Sequence, residues 1–162
     1  FVAGADIKYF VDRIKANQID QIAEFTRKGH ELLLDIENSD KLTIALLDGL
    51  SLGGGSELAL ACQAVIATPA GSMGFPETGI GIFPGLGGML RMARFTGPEL
   101  AKYYAFTGTP ISAEDARALI EADQVSGSSL SPVGPRSRVK ASARGTCSRG
   151  VKIRACCPSA RR

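Results

Sequence analysis

Glu57 and Glu77 stand twenty positions apart in a run dominated by apolar residues and glycine. That run, Asp48 to Gly88, reads DGLSLGGGSELALACQAVIATPAGSMGFPETGIGIFPGLGG and holds 11 of the chain's 19 glycines. Glycine at this density lets the backbone approach another group closely or take angles that a Cβ forbids. A carboxyl set among apolar residues is expected to do more than solvate a surface. The chemistry this combination suits is proton transfer by two carboxyls beside an oxygen held by backbone N–H groups.

The elements that must position these groups can be read from caps and periodicity. FVAGADIK at the start reads as a strand entering a turn, and Asp6 is placed to cap a helix of about ten residues from Ile7. A longer helix follows from about Asp20 to Asn38, with Ile22, Phe25, Gly29, Leu33 and Ile36 on one buried face. His30, the single histidine, falls on this helix and reads as a surface or boundary residue. The run 42–47, LTIALL, reads as a buried parallel strand. Gly53–Gly55 then turns into a helix through about Gln63, with the first of the carboxyls, Glu57, in its opening turn. Residues 64–68, AVIAT, read as a second buried strand, and 72–75 as a brief extended piece before Pro76-Glu77. Gly79 to Pro84 reads as a loop. A helix led in by Gly85–Gly88 ends near Gly97, Pro98 starts another through about Phe106, and Ser112 with Asp115 forms a capping box for a last one. Short strands alternating with helices make the class α/β.

At 162 residues, 44% apolar and 22% charged, the chain has the makings of one soluble domain with a real core. No apolar run reaches the length of a membrane span, and the first residues do not read as a signal peptide. The four cysteines fit neither a disulfide framework nor a metal-binding spacing, and Cys62 reads as a core thiol. A reducing, intracellular setting is expected. The net charge of +3 conceals two kinds of sequence. Residues 1–125 carry ten Lys/Arg against all sixteen Asp/Glu, whereas 126–162 carry nine Lys/Arg and no acid. The second segment is rich in Ser, Arg, Pro and Gly and lacks hydrophobic periodicity. It reads either as a frameshifted end or as a basic tail, disordered in both cases. Its arginines are neither grouped nor interleaved with aromatics, which argues against nucleic-acid binding.

Taken together, FVAGADIK, LDGLSLGGGSELALAC, MGFPETGIGIFPGLGG and FTGTPISAEDA resemble the enoyl-CoA hydratase/isomerase (crotonase) superfamily, over about residues 1–125 and in the family's order. The resemblance implies a spiral of ββα units, here truncated at the N-terminus and followed by a tail unlike the family. It also implies that Ala5 and Gly54 supply the two N–H groups of an oxyanion hole. Glu57 and Glu77 match the catalytic glutamates, with Glu77 chiefly giving a proton to C2 and Glu57 helping to activate water. Gly85 matches a glycine whose N–H orients a carboxyl or water. Residues Ala3, Gly4, Ala5, Asp6, Ile7 and Lys8 correspond to the segment that binds the nucleotide end of coenzyme A, mainly through backbone atoms.

The implied reaction is reversible syn hydration of a trans-2-enoyl-CoA, with isomerisation or coenzyme A binding alone as alternatives. It needs no metal or redox cofactor, since coenzyme A is part of the substrate. The implied assembly is a homotrimer or dimer of trimers in the cytoplasm or mitochondrial matrix, with no nucleic-acid or membrane partner. A parent fused to a 3-hydroxyacyl-CoA dehydrogenase is also compatible. Departures from the family pattern are Met89-Leu90 in place of Thr-Gln, Leu42 in place of proline, and Ile120-Glu121-Ala122 in place of Gly-Leu.

Overall fold

The computed structural model describes residues 1–118 and 153–155. Helix α1 spans Ile7–Lys15, and the Asp6 side chain caps it by accepting the Lys8 N–H at 2.9 Å. Helix α2 spans Ile19–Asn38 and buries Leu33. Tyr9, Phe10 and Phe25 pack edge-to-face or tilted at ring-centroid distances of 5.4 to 5.6 Å and join the two helices.

The chain then makes two similar turns. Strand β1 (Ile44–Leu47), strand β2 (Leu50–Leu52) and helix α3 (Gly54–Ala61) form the first. Strand β3 (Ala64–Ala67), strand β4 (Ser72–Gly74) and helix α4 (Gly88–Thr107) form the second, with a 3-10 turn at Pro76–Ile80 after β4. β1 pairs parallel with β3 and β2 parallel with β4, so one turn lies on the other in two small sheets. Ile44 stands opposite Ala64 and Leu50 opposite Ser72, offsets of 20 and 22 residues. These are two successive rungs of a ββα spiral. Strand β5 (Ile111–Ser112) adds antiparallel to β4, and strand β6 (Ile153–Ala155) adds parallel to β3.

The core lies between these layers and is built from Leu47, Ala59, Leu60, Val65, Phe75, Met92 and Tyr104, among others. Alternation places Ala45, Leu47, Val65 and Ala67 inward. The run at 42–47 is not buried on both faces as its composition suggests. Leu42, Ile44 and Leu46 are exposed, because among the described residues only one side of β1 is covered. β2 is an element that sequence reading misses: three residues between Gly49 and Gly53 are too few to show alternation. Phe1 and Val2 are not a strand, but they run beside β2, with Leu52 donating its N–H to the Val2 carbonyl at 2.9 Å.

Other expectations hold in detail. Gly97 breaks α4 at φ 79°, ψ 161°, and Pro98 opens the second half. Ser112 and Asp115 exchange capping bonds, with Asp115 N–H to Ser112 Oγ at 3.0 Å and Ser112 N–H to Asp115 Oδ2 at 3.2 Å. His30 is half-buried on α2, as a boundary residue should be; Cys62, read as a core thiol within the helix, instead sits half-buried at the C-cap of α3, packed against the edge of the core. Residues 126–162 lie outside the described residues apart from Ile153–Ala155. At those three positions, where the sequence pattern suggests no order, the open edge of β3 has gained a strand.

Candidate active site

The tight turn from β2 into α3 organises the site. Gly53 takes φ +51°, and Gly54 is the first residue of α3. An N–H at that position has no carbonyl one turn back to receive it, and it points out along the helix axis. Ser56 fixes the turn from beneath. Its buried hydroxyl lies 2.9 Å from the Ser51 carbonyl and 3.0 Å from that of Gly74, and accepts the Gly74 N–H at 3.1 Å. One side chain thereby ties α3 to both β2 and β4.

The N-terminal segment is brought onto this turn. A Cβ placed on Gly54 would lie 4.0 Å from the Ala5 nitrogen, and one on Gly4 would lie 3.8 Å from the Gly54 nitrogen. The two N–H groups expected to hold an oxygen are thus neighbours although they stand 49 positions apart in the sequence. Neither takes part in another backbone hydrogen bond outside regular elements among the described residues. Gly4 needs its φ of +93° to make the bend, and Gly55 must lack a Cβ because the Val2 carbonyl lies directly over it. Ala3, Ala5, Asp6, Ile7 and Lys8 are exposed and Gly4 half-buried, so the segment offers its backbone to solvent beside the turn.

Both carboxyls converge here. Glu57, in the first turn of α3, is only 2% exposed, and its Oε1 accepts two backbone N–H groups, from Leu86 at 2.8 Å and Gly88 at 2.9 Å. Glu77, in the 3-10 turn one rung along the spiral, is 9% exposed. Its Oε1 would lie 2.7 Å from a Cβ on Gly53, and its buried Oε2 has no hydrogen-bond partner. Burial pushes the Glu77 carboxyl above its ordinary range; a backbone hydrogen bond opposes this, and the negative charge of Glu57 adds to the rise. The spacing of twenty residues is the pitch of the spiral, which is why the two acids share a site.

Gly85 does not reach Glu57 in this geometry. The donors are Leu86 and Gly88, and Gly88 is further required because a Cβ there would sit 2.6 Å from the Glu57 Cγ. Their signal in the sequence is GLGG ahead of a helix, which marks a donor-bearing turn without saying which N–H groups point inward.

A sequence model of the enoyl-CoA hydratase/isomerase family matches residues 1–133. The chain belongs to that family. The match runs eight residues past the boundary read from the sequence. Crotonyl-CoA hydratase of Syntrophomonas wolfei is 41% identical over 116 residues, covering 72% of this chain and 43% of that protein. The mitochondrial methylglutaconyl-CoA hydratase of Homo sapiens is 40% identical over 119 residues, covering 74% of this chain and 34% of that protein. Among solved structures, enoyl-CoA hydratase from Thermoplasma volcanium aligns with a TM-score of 0.64 and 37% identity, over 72% of this chain and 46% of that one. The fold is therefore the crotonase fold, and the chain spans less than half the length of these relatives.

Proposed function

We propose that this chain carries the catalytic centre of a 2-enoyl-CoA hydratase. The observation that carries the reading is the pair of buried carboxyls, Glu57 and Glu77, at a turn where the Ala5 and Gly54 nitrogens lie together. Their roles follow from what each can do. Ala5 and Gly54 donate to the thioester oxygen and stabilise the negative charge that gathers there, each such donor being worth about 3 kcal/mol. Glu57, held as an acceptor by Leu86 and Gly88, takes a proton from water as the water oxygen bonds to C3. Glu77, whose burial favours the protonated form, gives its proton to C2 as the enolate collapses. The pair ends with the protons it began with, one moved from Glu77 to Glu57, and proton exchange through water resets it.

Residues Ala3 to Lys8 would receive the nucleotide end of coenzyme A along their exposed backbone. In this reading the reaction moves water and protons only, with coenzyme A as part of the substrate. The compartment is the cytoplasm or mitochondrial matrix, and the active assembly is a trimer or dimer of trimers.

Isomerisation is the second reading, since the matching family includes both reactions. Hydration of crotonyl-CoA measured beside isomerisation of a 3-enoyl-CoA separates them. Hydration is expected to dominate, and Glu57→Gln and Glu77→Gln should each lower kcat by about 10²–10⁴-fold with little change in KM. Faster isomerisation would favour the second reading. Coenzyme A binding without either activity, unaffected by both substitutions, would reduce the role to binding.

A further inference from the structure

The turn that holds Glu57 is itself held from outside the site. Leu86 and Gly88 flank Gly87, which takes a left-handed conformation (φ +86°). Arg91, one helical turn later, reaches back with Nη1 to the Leu86 carbonyl at 2.6 Å, while its own N–H donates to the Gly87 carbonyl at 3.1 Å. Arg91 is 5% exposed. Its remaining donors face Glu37 at the end of α2, with Nε 3.1 Å and Nη2 3.0 Å from Oε2. The second oxygen of Glu37 accepts from Arg94 at 2.7 Å. A Cβ on Gly87 would lie 2.9 Å from Arg91 Nη1, so that residue must be bare for the guanidinium to enter.

A buried charge of this kind is retained only where its partners and hydrogen bonds are nearly ideal. Arg fits because a planar fork can bind a carboxylate and a carbonyl together, whereas an ammonium offers one point charge. We infer that Arg91, anchored by Glu37, is a positioning residue that sets the Leu86–Gly88 turn so that both N–H groups meet Glu57 Oε1. Arg91 touches no reacting atom in this scheme; it acts through the backbone of three residues. The catalytic side of the inference rests on the hydratase reading above, but the geometric side does not.

The test is amide hydrogen exchange by NMR on the full 162-residue chain, wild type against Arg91→Lys, with crotonyl-CoA kinetics on the same samples. Exchange at the Leu86 and Gly88 amides should quicken about tenfold or more, while the amides of the β1–β3 ladder keep their rates. Hydration should lose about tenfold in kcat with KM within about threefold, the pattern of a misplaced catalytic group. A double substitution, Arg91→Met with Glu37→Leu, removes the charges as a pair and guards against a folding defect in the single variant. It should show the same two fast amides. Unchanged exchange at Leu86 and Gly88, or equal acceleration throughout the β1–β3 ladder, would overturn the inference. Fast exchange at those two amides in a chain inactive even as wild type would support the clamp and count against the hydratase reading.

Discussion

Glu77 is, among the described residues, the buried carboxyl that keeps an oxygen without a partner. Its ionisation is linked to stability. Because the folded state holds the Glu77 proton more tightly than the unfolded chain does, this contribution is complete at low pH and is lost as pH rises through the raised value. Glu77→Gln keeps the shape and removes the charge. Thermal melts should therefore show a Tm increase at pH 8, about 2–4 °C for each kcal/mol relieved, and almost none at pH 4. An increase of equal size at both would assign the effect to packing. Glu57 and Glu77 could be found in the sequence because acids are rare in apolar, glycine-rich surroundings. Ser56 and Arg91 could not: a serine in a helix turn and an arginine on a helix carry no mark of the buried bonds they make.

At the scale of elements, legibility followed local physics. The Asp6 cap, the Ser112–Asp115 box and the break at Gly97-Pro98 are interactions within a few residues, and each was readable. β2 and the one-sided exposure of β1 depend on partners twenty or more residues away and were not. The break in α4 is the element feature most open to a direct check. At φ 79°, ψ 161°, Gly97 occupies a region essentially reserved for glycine. Gly97→Ala should cost on the order of 1–3 kcal/mol in denaturant unfolding. A cost near zero would mean that α4 straightens without penalty. Since the first half of α4 begins at the Gly88 donor, re-aiming it would also disturb Glu57.

For the whole molecule, the described residues leave large apolar side chains in solvent. Phe83 and Phe106 are 75% exposed and Leu90 70%. Side chains of this size in water favour association. If the trimer or dimer of trimers proposed above forms, sedimentation should give a particle of about three or six times the 17.0 kDa chain mass. A monomer at micromolar concentration would remove the trimer from the proposal. The crossing of Val2 over Gly55 has a different kind of consequence, one of timing. Residues 1–5 are synthesised some fifty residues ahead of β2 and the first turn of α3, the backbone they cross in the folded state. Helices α1 and α2 can form from local contacts, but the paired nitrogens of Ala5 and Gly54 exist only after that long loop closes. In refolding, helical signal should thus return before the proposed hydration of crotonyl-CoA does, which would make that activity a late reporter of assembly.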